Sequence, residues 1–156
     1  MNLIYILIIE DSESKLQSIQ RVVERTVPKA KISVAQSVRS AIDAIGTEQP
    51  TLIIADMSLP TYDIKARERG GSPRPFGGVD IFDYLDKEDF EIPILVVTSY
   101  PVITDGSQTL GLNDLAQKLA EDYPENFIDT VYFDSEFSVW ENKIEAILTK
   151  YLREWK

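Results

Sequence analysis

Three acidic positions stand directly behind runs of aliphatic residues, where a chain leaving a strand places side chains at a sheet edge. Glu10-Asp11 follow LIYILII (residues 3–9) and Asp56 follows TLIIA (51–55), while a hydroxyl pair, Thr98-Ser99, follows IPILVV (92–97). Carboxylates gathered at one place repel one another unless a cation sits among them, and hard oxygen ligands suit Mg²⁺. A carboxylate beside such an ion can also take a phosphoryl group as an acyl phosphate, the ion offsetting the charge that accumulates in transfer. Taken singly, an Asp or Ser behind a strand is an ordinary turn former or helix cap. Three such strand ends together favour a site.

Composition narrows the chemistry further. The 156 residues include no histidine and no cysteine. That removes thiolate nucleophiles, disulfides, iron–sulfur ligation and Cys-based zinc sites. It also removes Ser-His-Asp triads, haem ligation by His and any general base with an ordinary pKa near neutrality. With 26 acidic and 16 basic side chains the net charge is −10, which repels phosphate backbones. The opening segment lacks a basic region and a small-residue cleavage site, and no apolar run approaches the ~20 residues of a membrane span. A cytoplasmic protein with neither nucleic acid nor membrane as partner is expected.

The elements that must position these residues follow from hydrophobic periodicity. The runs Leu3–Ile9, Thr51–Ala55 and Ile92–Val97 are continuously apolar, as strands covered on both faces are, and Lys31–Ala35 and Thr130–Phe133 add two more. Between them lie helical patterns. Ser12 is placed to N-cap one carrying Leu16, Ile19, Val22 and Val23, although Lys15 stands where a capping box wants Glu. A second begins at Ser37 with Val38, Ala41, Ile42 and Ile45. Val79–Leu85 and Leu112–Asp122 are further helices, and the last begins near Ser138 and is expected to bury Trp140, Ile144, Ile147, Leu148, Tyr151 and Leu152. Trp155, near the end, reads as packing or as an exposed contact. The alternation predicts an α/β fold, a doubly wound five-stranded parallel sheet of the (βα)₅ flavodoxin-like kind, with residues 1–156 forming one domain. In such sheets ligands sit beyond the carboxyl ends of the strands, where the acidic positions fall.

The stretches IIEDSESKLQSIQ, LIIADMSLP and PILVVTS resemble the receiver domain of bacterial response regulators (CheY-like), and the resemblance spans nearly the whole chain. It implies the strand order 2-1-3-4-5 and a set of roles. Asp56 would be the phosphoacceptor. Glu10, Asp11 and Asp56 would hold Mg²⁺ together with the backbone carbonyl of Ser58. Thr98 would be the switch hydroxyl, Tyr132 the switch aromatic, and Phe137 the Phe that follows the family's Lys-Pro. A histidine kinase or phosphotransfer protein would act upstream and a protein effector downstream.

Three features depart from the family pattern. The lysine expected after the last strand is replaced by Ser135, between Asp134 and Glu136, and the nearest lysine, Lys143, falls inside the last helix. A fixed cation facing the developing phosphoryl charge is thereby lost. A segment, Thr61–Phe76, is inserted behind the third strand; Lys65, Arg67, Arg69 and Arg74 against Asp63 and Glu68 make it net +2. It reads as a solvated loop, as a source of an Arg that reaches back over Asp56, or as a docking surface for an acidic partner. The stretch between Thr98 and Tyr132 is also longer than the family's.

The expected function is that of a stand-alone receiver in phosphorelay signalling, not itself an enzyme beyond Mg-dependent self-phosphorylation from a partner His or a small phosphodonor. The alternative is a degenerate receiver that works by protein interaction without phosphorylation. Enzymatic sites fit poorly. An aspartyl-nucleophile phosphatase or a Toprim-like site wants D-x-D where this chain has Glu10-Asp11-Ser12 or Asp56-Met57-Ser58, and SESK makes a poor flavin phosphate loop.

Overall fold

A computed structural model describes residues 3–63 and 73–152. The aliphatic runs become strands because each is covered on both faces: β1 (Tyr5–Ile9), β3 (Leu52–Ala55) and β4 (Ile94–Thr98) are buried at every position. With β2 (Lys31–Ala35) and β7 (Phe127–Tyr132) they form a parallel sheet of order β2-β1-β3-β4-β7. This is the order expected from sequence. Two extra strands between β4 and β7 shift the numbering of the last.

The helices cover the sheet unequally. Along β1 alternate side chains face opposite ways, so Leu7 and Ile9 join one core and Ile6 and Ile8 the other. The first core is closed by α2 (Val38–Thr47), α3 (Val79–Lys87) and α4 (Leu112–Asp122), through Ala41, Ile45, Ile81, Phe82, Leu85, Leu115 and Leu119. The second is closed by α1 (Glu13–Thr26) and α5 (Val139–Leu152), through Leu16, Ile19, Val22, Trp140, Ile144 and Leu148. At the start of α2 Ser37 and Ser40 exchange hydrogen bonds as a capping box.

Two parts of the fold were not expected from sequence. β7 starts at Phe127 rather than Thr130, with a register irregularity against β4 between Ile94 and Leu95. The long stretch after β4 contains an antiparallel hairpin, β5 (Val102–Asp105) and β6 (Gln108–Gly111), which stands apart from the sheet. Its two-residue turn opens on Gly106 at φ +62°, where only glycine is unstrained. Ile103 anchors the hairpin in the first core, and Leu112 N–H donates to Pro101 C=O where its two ends meet.

Of the inserted segment, residues 64–72 lie outside the described part, and with them Lys65, Arg67 and Arg69; Trp155 lies outside it as well. The ends are described. Leu59 and Arg74 form a two-way backbone bridge, and the Arg74 guanidinium pairs with Asp80 at 2.6 Å on the surface. Arg74 is thus engaged at the start of α3, not turned over Asp56.

Candidate functional site

The parallel sheet brings the three acidic positions to one edge. Glu10 follows the last residue of β1 and Asp56 follows the last residue of β3; the Asp56 N–H donates to Ile9 C=O and the Glu10 N–H to Ala35 C=O. Glu10 and Asp56 are buried and Asp11 is half-buried. One carboxylate oxygen from each of the three lies within 4.8 Å of the others.

Each of the two buried carboxylates is partly fixed by backbone. Asp56 Oδ1 accepts from Met57 N–H at 2.7 Å and from Ser58 N–H at 3.4 Å, which leaves Oδ2 facing the pocket. Glu10 Oε2 accepts from Ser12 N–H at 3.0 Å. That contact satisfies the backbone at the α1 N-cap, where the Ser12 side chain makes no capping bond. Behind Asp56, Gly77 and Gly78 pass so close that a Cβ on Gly78 would stand 2.6 Å from the Asp56 carbonyl oxygen. The backbone behind Asp56 is therefore closely packed.

The residue that organises the pocket is Lys15. It is 4% exposed, and its Nζ lies 2.6 Å from Glu10 Oε1 and 3.0 Å from Asp56 Oδ2. It also donates to the Val97 C=O at 3.0 Å and lies 5.8 Å from the Phe133 ring centroid. Phe133 in turn packs on Trp140 with centroids 4.7 Å apart. A helical side chain leans toward its helix N-terminus, and the N-terminus of α1 rests on the strand-end edge. A lysine in the first turn of α1 therefore points straight into the acidic pocket. Desolvating an ammonium is expensive, so such a residue persists only where charges compensate it.

Sequence reasoning alone treats Lys15 as a failed capping-box position and misses it. Its signal is present: Lys15, Ile19 and Val22 fall at i, i+4 and i+7, so the lysine occupies the apolar stripe of α1 rather than its wet face.

One ammonium cannot neutralise two buried carboxylates. Burial pushes Glu10 up to about 8; Lys15 pulls against that rise and the Asp56 charge adds to it. Glu10 Oε1 is moreover buried without a properly directed hydrogen bond, despite its closeness to Nζ. Three carboxylates, a surplus of negative charge and an unused buried acceptor form a donor set that fits a hard divalent cation.

The other expected site residues fall on the same edge or near it. Thr98, the last residue of β4, is fully buried, and its Oγ1 accepts from Tyr100 N–H at 3.3 Å. Tyr132 is its cross-strand neighbour on β7 and is half-exposed. Ser58 is half-buried beside Asp56. Ser135 and Phe137 are exposed beyond β7 and line a surface groove with Arg21, Arg25 and Trp140. Lys143 is on the exposed side of α5.

Comparison with known proteins agrees with this architecture. The chain is 28% identical over 146 residues to the Detocs response regulatory protein DtcB of Vibrio alginolyticus, covering 92% of this chain and 98% of that one. It is 24% identical over 147 residues to the protein of the same name from Enterobacter cloacae, covering 93% and 98%. Among solved structures, the receiver domain of a LuxO repressor protein from Vibrio parahaemolyticus superposes with a TM-score of 0.67 at 20% identity, covering 98% of this chain and 92% of that one. The Mn(2+)-bound form of response regulator Rcp1 gives 0.64 at 15% identity, covering 95% and 94%. The family model of the response regulator receiver domain matches residues 6–118, from within β1 to within α4, and with the five-stranded sheet and its strand-end carboxylates the chain belongs to the response regulator receiver family.

Proposed function

We propose that this receiver accepts a phosphoryl group on Asp56 with Mg²⁺ held at the strand-end pocket, and passes the resulting change on through protein contacts. The observation that carries the reading is the state of Asp56 itself. One of its oxygens is tied down by the Met57 and Ser58 N–H groups while the other faces a pocket shared with Glu10, Asp11 and a buried cation. That is an oriented nucleophile in a site whose spare negative charge calls for a divalent ion.

Glu10, Asp11, Asp56 and the Ser58 carbonyl are the residues to hold Mg²⁺, which when bound supplies charge compensation for phosphoryl oxygens. In the transfer step an Asp56 carboxylate oxygen bonds to phosphorus as the bond to the donor breaks. The leaving group departs with that electron pair, a phosphohistidine donor returning as neutral imidazole once protonated. The donor histidine belongs to another protein, a histidine kinase or phosphotransfer protein, because this chain has no His. The backbone amides behind Asp56 keep the acceptor oriented throughout.

The switch reading rests on the pairing of Thr98 with Tyr132. The Thr98 hydroxyl is engaged with the Tyr100 N–H, and a move toward a phosphoryl group on Asp56 releases that bond and alters the segment leading into the hairpin. Tyr132, half-exposed on the neighbouring strand, is placed to change its packing in step and present a different surface to an effector.

The test is incubation with Mg²⁺ and acetyl phosphate followed by intact mass. A phosphate-sized increment in the natural sequence that is absent in Asp56→Ala supports the reading. No increment under saturating donor and ion overturns it in favour of a phosphorylation-independent interaction module, the reading that the exposed Ser135 between two acids favours.

A further inference from the structure

No lysine stands in the segment between β7 and α5, and the position where one is expected is held by the exposed hydroxyl of Ser135. A cation nevertheless sits on the Asp56 carboxylate, and it comes from the first turn of α1. We propose that Lys15 is the phosphoryl-binding residue of this site, supplying from α1 the cationic contact that the segment behind β7 does not. The proposal rests on the reading of Asp56 as phosphoacceptor and adds to it the residue that makes acceptance workable without a lysine at position 135.

The geometry favours this role over a purely structural one. Lys15 Nζ touches the free oxygen of Asp56, not the one the backbone amides hold. A phosphoryl group added at that oxygen therefore grows into the space next to the ammonium. The ammonium donates to the Val97 carbonyl and lies at ion-pair distance from Glu10 and Asp56. When Asp56 becomes an acyl phosphate its carboxylate charge is replaced by the larger charge of the phosphoryl oxygens, and Nζ can exchange its Asp56 contact for one of those. Lys15 is buried, and its Nζ is held by the Val97 carbonyl beside the Phe133 ring, so the cation is already in place when charge develops. A buried lysine that served only to staple α1 to the sheet would need no second carboxylate and would be replaceable by an apolar residue of similar length.

Labelling with acetyl phosphate and Mg²⁺ should run 10²- to 10³-fold slower in Lys15→Met than in the natural chain, the loss typical of one preorganised charge-stabilising donor. Mg²⁺ binding by the same variant, followed through tryptophan emission, should persist or tighten because a competing cation has gone. A second measurement does not need the variant to fold. In the natural chain, the Lys15 ¹³Cε–¹⁵Nζ resonance should shift when beryllofluoride, a stable phosphoryl mimic, is added with Mg²⁺, and should not shift in Asp56→Ala. Labelling of Lys15→Met at the natural rate, or a Lys15 resonance unmoved by bound beryllofluoride, overturns the proposal while leaving Asp56 as the acceptor. A natural chain that takes neither label nor beryllofluoride overturns both.

Discussion

The surplus charge at the strand-end pocket makes folding stability depend on pH in a way that an equilibrium experiment reads directly. In the unfolded chain Glu10 titrates near its ordinary value of 4.5, whereas in the folded chain burial holds it near 8. Between those values the folded state keeps a proton that the unfolded state has released. Folding stability must then fall as pH rises, by about 1.4 kcal/mol per pH unit. From pH 5 to the folded value of about 8 is about three units, so the loss is about 4 kcal/mol, largely complete at pH 9. For a domain of this size that corresponds to roughly 8–16 °C in Tm. With no His and no Cys, no side chain of ordinary pKa titrates in this window, so the profile reports the pocket with little background. The assay is urea unfolding followed by tryptophan emission at pH 5, 7 and 9 in EDTA, on the natural chain and on Glu10→Gln. The natural chain should lose stability across the series and Glu10→Gln should be nearly flat. Millimolar Mg²⁺ should restore the natural chain at pH 9, since the ion takes the place of the proton. A flat profile in the natural chain, or one slope shared by both, would refute the argument that the pocket holds one negative charge too many.

Two further outcomes follow from the packing around the site. Gly78→Ala puts a methyl group 2.6 Å from the Asp56 carbonyl oxygen and 3.0 Å from Met57 Cα, in backbone that cannot yield without moving Asp56. It should destabilise by about 1–3 kcal/mol in urea titration and slow acetyl phosphate labelling. Arg74→Ala removes a half-exposed surface pair with Asp80, worth less than about 1 kcal/mol, and should leave labelling of Asp56 at the natural rate. A large labelling defect there would instead revive the idea that the inserted segment reaches over the pocket.

Much of the fold was legible in sequence because its strands are buried on both faces. A run such as Leu52–Ala55, short and with no wet side, fits a central strand of a parallel sheet and little else. Leu112–Asp122 and Lys31–Ala35 were expected with the boundaries the structure has. The hairpin was harder. Its strands bury little, with Val102, Thr104 and Thr109 on the surface, so hydrophobic periodicity is weak there. Its turn chemistry, Gly106-Ser107, was the available signal. The acidic half of the site was legible because carboxylates at strand ends are conspicuous. The cationic half was not, since proximity between α1 and β3 depends on the sheet order that places β1 beside β3. Residues 15 and 56 are neighbours only after the chain has folded, and a lysine in an apolar stripe is easily mistaken for an interruption of it.

The closed base of the β5–β6 hairpin means that this insert begins and ends at one place. Val102 pairs with Gly111, and the Leu112 N–H meets the Pro101 carbonyl, so the chain leaves β4 and enters α4 from nearly the point at which the detour started. An excursion of that kind behaves as a parenthesis in the receiver's grammar. It can lengthen, shorten or change its surface through drift in the gene without altering the distance that β4 and α4 must bridge. Descendants of this chain are therefore free to rewrite the surface carrying Val102 and Thr109 while the pocket beneath Thr98 stays as it is.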